Sequence, residues 1–400
     1  MRVALLTREY PPEVYGGAGV HAAYLSRELA RLVDLDVHCF GSPREGPHVT
    51  AHPAWADVAA GPNGDVLGVL SVDLRMAAAT AGADVVHSHT WYANMGGQLA
   101  RVLHGIPHVM TTHSLEPSRP WKAEQLGAGY ALSSWCERTA IEAADAVVAV
   151  SAGMRADILA TYPAVDPSRV VVIPNGIDPD EYQPDPGTDS LARLGIDPDR
   201  PAVVFVGRMT RQKGIEHALE AAVHIDPGAQ VILCAGAPDT PEIGAEFRER
   251  AAAIAASRGN VVWVEAMVER TTLVQILSHA SVFLCPSVYE PFGITNLEAM
   301  ACEVPVVATA VGGIPEVVVD EETGFLVPIE VDADGLPADP DGLARHLAAR
   351  VNQLLGDRET ADRMGRAGRL RVLGHFIWPS IAARTVELYE RVLAGLTPAG

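Results

Sequence analysis

Two carboxylates with seven residues between them carry the sharpest chemical signal in the sequence. In PSVYEPFGITNLEAMACEVP, residues 286–305, Glu290 precedes a Pro–Phe–Gly turn and Glu298 follows it. A helix beginning near Thr295 would aim the backbone N–H groups of Gly293, Ile294, Thr295 and Asn296 at an anion. Glu298, about one turn further along, suits a ribose diol, and Glu290, still in the loop, suits a sugar. The plainer alternative, an early-helix acid favoured by the helix dipole, accounts for Glu298 but not for the whole arrangement.

A second cluster lies in VGRMTRQKG, where Arg208, Arg211 and Lys213 fall within six residues. The chain holds 30 basic residues, of which only Lys122 and Lys213 are lysines, so a lysine here points to a compact ammonium. Arg208 can fork onto phosphate oxygens while Lys213 acts as a point charge. An exposed charge run is the alternative; in a chain of formal charge −20, so local an excess of positive charge favours phosphate.

Three further loops have suitable residues. YPPEVYGGAGVH, residues 10–21, has Gly16, Gly17 and Gly19, which allow a close backbone approach to a ligand. Gly17 to Ala22 even spell GxGxxA, but about ten residues separate these glycines from the preceding strand. The dinucleotide reading therefore fails, and a ligand loop and a plain turn stay equally open. His113 ends the run HVMTTH, where it could hydrogen-bond a sugar hydroxyl. His87 and His89 in VVHSHTW have a metal-ligand spacing, yet no carboxylate or cysteine near them completes a site, and no metal is expected. Asn175, in IPNGID, fits a turn as well as a ligand contact. The strings Asp34/Asp36, Asp178/Asp180 and Asp332/Asp334 fit turns and strand ends better than metal–nucleotide sites.

These loops need elements to hold them. Short β-branched runs at 3–7, 35–40, 85–87, 108–112, 146–150 and 170–173 have the composition of parallel strands covered on both faces. Between them run helical periods such as 20–32, with Val20, Tyr24, Leu25, Leu29 and Leu32 on one face. The alternation stops in the Pro- and Asp-rich stretch 178–201, the best candidate for a linker, and resumes at 203–206, 231–235, 261–264, 282–285, 306–308 and 325–327. Four hundred residues exceed one ordinary core. The expectation is two doubly wound α/β domains, with ligands at the carboxyl ends of the strands.

Composition narrows the function. Charge −20 argues against nucleic acid or anionic lipid as partner. The five cysteines are scattered, without ligand spacing, and read as buried reduced thiols. No apolar run is long enough for a membrane span, and the opening MRVALLTREYPPE is too short for a signal peptide, so a cytoplasmic location is expected. A homodimer is the expectation from base rates alone.

GRMTRQKG followed by EPFGITNLEAMACEVPVVATAVGGIPEVV resembles the donor site of glycosyltransferase family 4, a retaining family with the GT-B fold. The likeness runs the full length, through the opening glycine loop, TTH, IPNGID and HFIWPSIAARTVELYERVL, where FIW stands in place of the usual FSW. It implies two Rossmann-like domains facing across a cleft: an acceptor domain over 1–180, a donor domain over 181–375, and a final helix, 376–400, that packs back on the first. It assigns the leaving diphosphate to Arg208 and Lys213, the ribose to Glu298, and the transferred sugar to Glu290. His113 would meet the sugar's 6-hydroxyl region and Gly17 would lie near the diphosphate. The segment 265–268, with Met267, would line the base. Within the family the opening MRVALLTREYPPEVYGGAGVH is similar to an ADP-glucose-dependent actinobacterial branch. That implies ADP-glucose as donor and glucose-1-phosphate or an α-glucan as acceptor, with no cofactor, since the nucleotide sugar is a substrate. Arg119 or Lys122 could receive an acceptor phosphate. Residue spacing alone leaves open a UDP- or GDP-sugar with a lipid-linked or polyol acceptor, and a non-catalytic two-lobed binding protein. An NAD-dependent oxidoreductase is disfavoured by the misplaced glycines.

Overall fold

The computed structural model describes residues 1–400 except 15, 43–47, 62, 120–126, 128, 237, 239, 266–267, 333–334 and 397–400. The chain forms two compact units, Met1–Gly176 with Trp378–Gly400, and Ile177–Ile377.

The first unit is built on seven parallel strands: β1 (Arg2–Thr7), β2 (Asp34–Phe40), β3 (Val49–His52), β4 (Val85–His89), β5 (His108–Thr112), β6 (Ala146–Ala149) and β7 (Val170–Val172). Their spatial order is β3-β2-β1-β4-β5-β6-β7. Register follows burial: Val3, Leu5 and Leu6 of β1 lie opposite Val85, His87 and Ser88 of β4, and all are buried. Six of the seven match runs expected from sequence. The exception, β3, is a four-residue edge strand with one buried residue, too short and too polar to stand out by pattern. One face of the sheet carries Val3, Leu5, Leu25, Leu29 and Val109, and this same core includes Trp378, Ile381 and Tyr389 from the last helix, Trp378–Leu393. Trp378 stacks on Tyr24 of the helix Gly17–Leu29, ring centroids 5.8 Å apart.

The second unit repeats the plan with six parallel strands: β8 (Ala202–Arg208), β9 (Gln230–Gly236), β10 (Val261–Val264), β11 (Val282–Cys285), β12 (Val306–Thr309) and β13 (Gly324–Val327), in the order β10-β9-β8-β11-β12-β13. All six correspond to expected runs. The stretch 178–201, expected as a linker, is part of this unit. It includes the helix Asp189–Leu194, and Gln275 ties it down by accepting from the Ser190 N–H at 3.0 Å and donating to Asp189 Oδ1 at 2.9 Å. At the far end Ile377 bridges to Ile177.

Each unit therefore reverses its strand order once, between β1 and β4 and between β8 and β11, and ligands of open α/β sheets bind at such reversals. All five cysteines are free and buried. No helix among the described residues is long and apolar enough to cross a membrane.

Candidate functional site

In the second unit the reversal brings Lys213 and Glu290 together. Lys213 follows β8 in the single turn Arg211–Lys213, capped by Thr210, whose hydroxyl accepts from the Lys213 N–H at 3.2 Å. Gly214 comes next with φ +63°, and a Cβ on it would stand 2.0 Å from the carbonyl oxygen of Pro286. Only glycine lets this loop press so closely onto the loop after β11. Val288 N–H closes the contact by donating to the Gln212 carbonyl at 3.0 Å.

The loop after β11 is also gripped from its other side. The Glu290 carbonyl accepts from Gly313 N–H at 2.9 Å, and a Cβ on Gly312, φ +53°, would lie 2.1 Å from that same oxygen. Held in this way, the Glu290 carboxylate accepts from Lys213 Nζ at 2.6 Å and from the Ser287 hydroxyl at 3.3 Å. Burial by itself would lower the Lys213 ammonium, but the Glu290 charge outweighs it, and Lys213 titrates above its usual value. The pair is a fixed cation with its counter-ion.

The helix Ile294–Ala301 starts from Gly293 in the left-handed region at φ +96°, one residue earlier than Thr295. No side chain caps it, so the N–H groups of Ile294 and Thr295 are left for an outside acceptor. Glu298, half-buried on this helix, accepts from the Tyr182 hydroxyl at 2.9 Å. Burial pushes its carboxyl up to about 7, against the pull of Tyr182 and of the Lys213 charge. Near neutral pH it is thus poised between acid and carboxylate. Arg208 is exposed at the end of β8.

The first unit fills its reversal with imidazoles. His89 ends β4, His113 follows β5, and His21 sits on the helix after β1. His89 Nδ1 and His113 Nε2 are 3.1 Å apart, and the rings of His21 and His113 meet edge-on with centroids 4.7 Å apart. Asn175 Oδ1 lies 2.6 Å from His21 Nδ1. His87 is tied on both sides, to Tyr389 Oη at 2.6 Å and Thr111 Oγ1 at 2.7 Å. Burial lowers His21 to about 4 and, with the neighbouring rings, holds His87, His89 and His113 well below the usual histidine range. Gly16 caps the helix Gly17–Leu29, and its N–H donates to Glu9 Oε2 at 2.8 Å.

The structure thus groups Lys213, Glu290, Gly293, Ile294, Thr295 and Glu298 in one unit, with Arg208 at the edge of the group. Gly16, Gly17, His113 and Asn175 fall in the other. Met267 and Lys122 lie outside the described residues. Arg119 donates to Glu116 Oε1 at 2.6 Å. Four participants were not singled out from sequence: Tyr182, Ser287, Gly312 and His21. Tyr182 is 116 residues from the carboxylate it touches, and no local signal marks it. The HxH spacing offers His89 no completing carboxylate or cysteine nearby in sequence, and the fold places two histidines, His21 and His113, beside it instead.

Residues 15–181 match the family described as Glycosyltransferase Family 4, and residues 188–371 match Glycosyl transferases group 1. An alpha-maltose-1-phosphate synthase from Mycolicibacterium smegmatis is 54% identical over 98% of this chain and 100% of its own length. A glycogen synthase from Mycobacterium tuberculosis is 28% identical over 97% of this chain and 94% of its own. Among solved structures, sucrose-phosphate synthase from Thermosynechococcus elongatus superposes with a TM-score of 0.78 at 27% identity, covering 98% of this chain and 99% of that one.

Proposed function

The chain belongs to glycosyltransferase family 4 and has its two-domain GT-B fold, and on that footing we propose that it transfers an α-glucosyl unit from ADP-glucose to α-glucose-1-phosphate, giving α-maltose-1-phosphate. The observation that carries the acceptor is the contrast in likeness. Identity is 54% to a maltose-1-phosphate synthase and 28% to a glycogen synthase, each over nearly the whole chain.

The second unit has the parts this reaction needs from a donor site. Lys213 and Arg208 neutralise the leaving diphosphate, with the Ile294 and Thr295 N–H groups as further donors. Glu290 binds hydroxyls of the transferred sugar, and its salt bridge keeps the ammonium in place before the donor arrives. Glu298 accepts from the ribose diol, displacing or sharing the Tyr182 hydroxyl. As the C–O bond to the diphosphate breaks, positive charge grows on the anomeric carbon, and the acceptor hydroxyl attacks from the same face, passing its proton to the departing phosphate oxygen, so configuration is retained. Charge stabilisation by Lys213 and Arg208 lowers the barrier without a protein nucleophile. In the first unit we assign His113 to the 6-hydroxyl region of the sugar, and Gly17 and Asn175 to donor binding.

The test is a product assay with ADP-glucose, offering α-glucose-1-phosphate and glycogen in parallel and resolving products by mass and by anomeric NMR signals. α-Maltose-1-phosphate with little glycogen extension is the expected outcome. Glycogen extension alone would replace the acceptor with a glucan and leave the donor site as described.

A further inference from the structure

One ring nitrogen from each of His21, His89 and His113 lies within 4.8 Å of the other two. Nitrogens bound to one zinc ion at ~2.0–2.1 Å stand about 3.3 Å apart in a tetrahedron, and His89 Nδ1 and His113 Nε2 are already at 3.1 Å. The surroundings of His21 are those of a ligand. The carbonyl oxygen of Asn175 faces Nδ1, which places the proton there and leaves a lone pair on Nε2. That nitrogen is buried and has no hydrogen-bond partner among the described residues. A carbonyl on the outer ring N–H is the usual means of orienting a metal-bound imidazole. A buried polar nitrogen left without a partner otherwise carries the full desolvation cost of that group.

We propose that His21, His89 and His113 form a three-imidazole site for a divalent transition metal of the zinc class. With no carboxylate in the donor set, the site favours Zn²⁺, Ni²⁺ or Cu²⁺ over Mg²⁺ or Ca²⁺. His113 is only half-buried and gives the ion its way in, and the fourth coordination position stays open. Because the proposed reaction assigns His113 to the transferred sugar, an ion held here competes with substrate. This consequence rests on that assignment, and the site itself does not.

Two measurements separate them. Chelator-treated full-length protein is titrated with Co²⁺, reading the visible absorption of a four-coordinate ion, and then with Zn²⁺. One equivalent of Co²⁺ is expected to bind and to be displaced by Zn²⁺. His21→Ala and His113→Ala are each expected to weaken binding at least tenfold, while His48→Ala, exposed and elsewhere, leaves it unchanged. Wild-type protein that develops no such absorption overturns the proposal whatever the variants do. So does binding that survives in His21→Ala and His113→Ala protein of native circular dichroism. In the second measurement, Zn²⁺ at the occupancy found by titration is expected to raise KM for the sugar donor in the wild type. Full occupancy without inhibition overturns the competition. Metal-free His113→Ala with wild-type turnover removes the sugar contact assigned to His113 and leaves the metal site intact.

Discussion

The two units share a strand plan and fill the same position in it with opposite chemistry. Between β8 and β11 the second unit sets a charged pair, Lys213 and Glu290, gripped by backbone contacts at Gly214 and Gly312. Between β1 and β4 the first unit gathers neutral imidazoles that burial keeps from protonating. On the proposed reading, the same topological reversal serves an anion in one case and hydroxyls or a zinc-class cation in the other. What differs is which side chains follow the strands, since the sheet supplies place and not chemistry.

The sharpest way to break this contrast is to remove the charge from the second unit. Lys213→Ala should lower turnover by roughly 10²–10³, as loss of one stabiliser of a developing anion does, while binding of metal to the first unit is untouched. Steady-state rates falling by less than tenfold would mean that Lys213 serves the fold and not the reaction. Next in size is Gly312→Ala, which forces a Cβ into the Glu290 carbonyl at positive φ. It should destabilise the second unit by ~1–3 kcal/mol and disturb Glu290, seen as a lower Tm together with a loss of kcat.

Acid should separate the units. Unfolded histidine protonates near pH 6.5, whereas in the folded first unit His21 and His38 wait until about 4 and His108 until about 3. The unfolded state therefore binds more protons, and stability falls as pH drops below about 6.5, levelling off below 3–4, by up to ~3 kcal/mol for a histidine such as His21. Glu137, raised to about 7, works the other way, as do Asp73 and Asp157, because burial favours their neutral forms, but the lowered histidines outnumber them. Among the described residues of the second unit only His217 is comparably lowered. Hydrogen exchange followed from pH 7 to pH 4.5 should show the first unit loosening first; simultaneous loosening would refute the contrast.

The smallest effect is expected from Tyr182→Phe, which removes one hydrogen bond from Glu298 and should change donor KM by about two- to tenfold with kcat nearly constant. Since that bond lowers the Glu298 carboxyl, its loss should also move the acid limb of donor binding above pH 7. A wild-type pH profile in the variant would show that Glu298 does not meet the ribose.

The sheets were legible because their strands are unbroken β-branched runs, a pattern that buried parallel strands require and loops rarely imitate. The edge strand β3, half exposed, has no such requirement and escaped. Local motifs exposed the loop of Glu290 and the loop of Lys213 separately. Their 2.6 Å salt bridge was hidden, because it depends on how closely Gly214 lets two loops 77 residues apart approach. The histidine cluster shows the same limit. HxH is readable as spacing, but His21 and His113 join it only through the order of strands in space.

The helix Trp378–Leu393 has a consequence for how the molecule is made. It completes the core of the first unit, where Trp378, Ile381 and Tyr389 pack beside Val3 and Leu5, and Tyr389 binds His87. On the ribosome the chain emerges from its amino end, so the core that begins first cannot be completed until the helix Trp378–Leu393 is translated. The later-born unit, contiguous from Ile177 to Ile377, has its whole sequence available sooner. The histidine-lined half thus waits, incomplete, through most of synthesis, and a nascent chain stalled before Trp378 would present the charged half folded and the other half open.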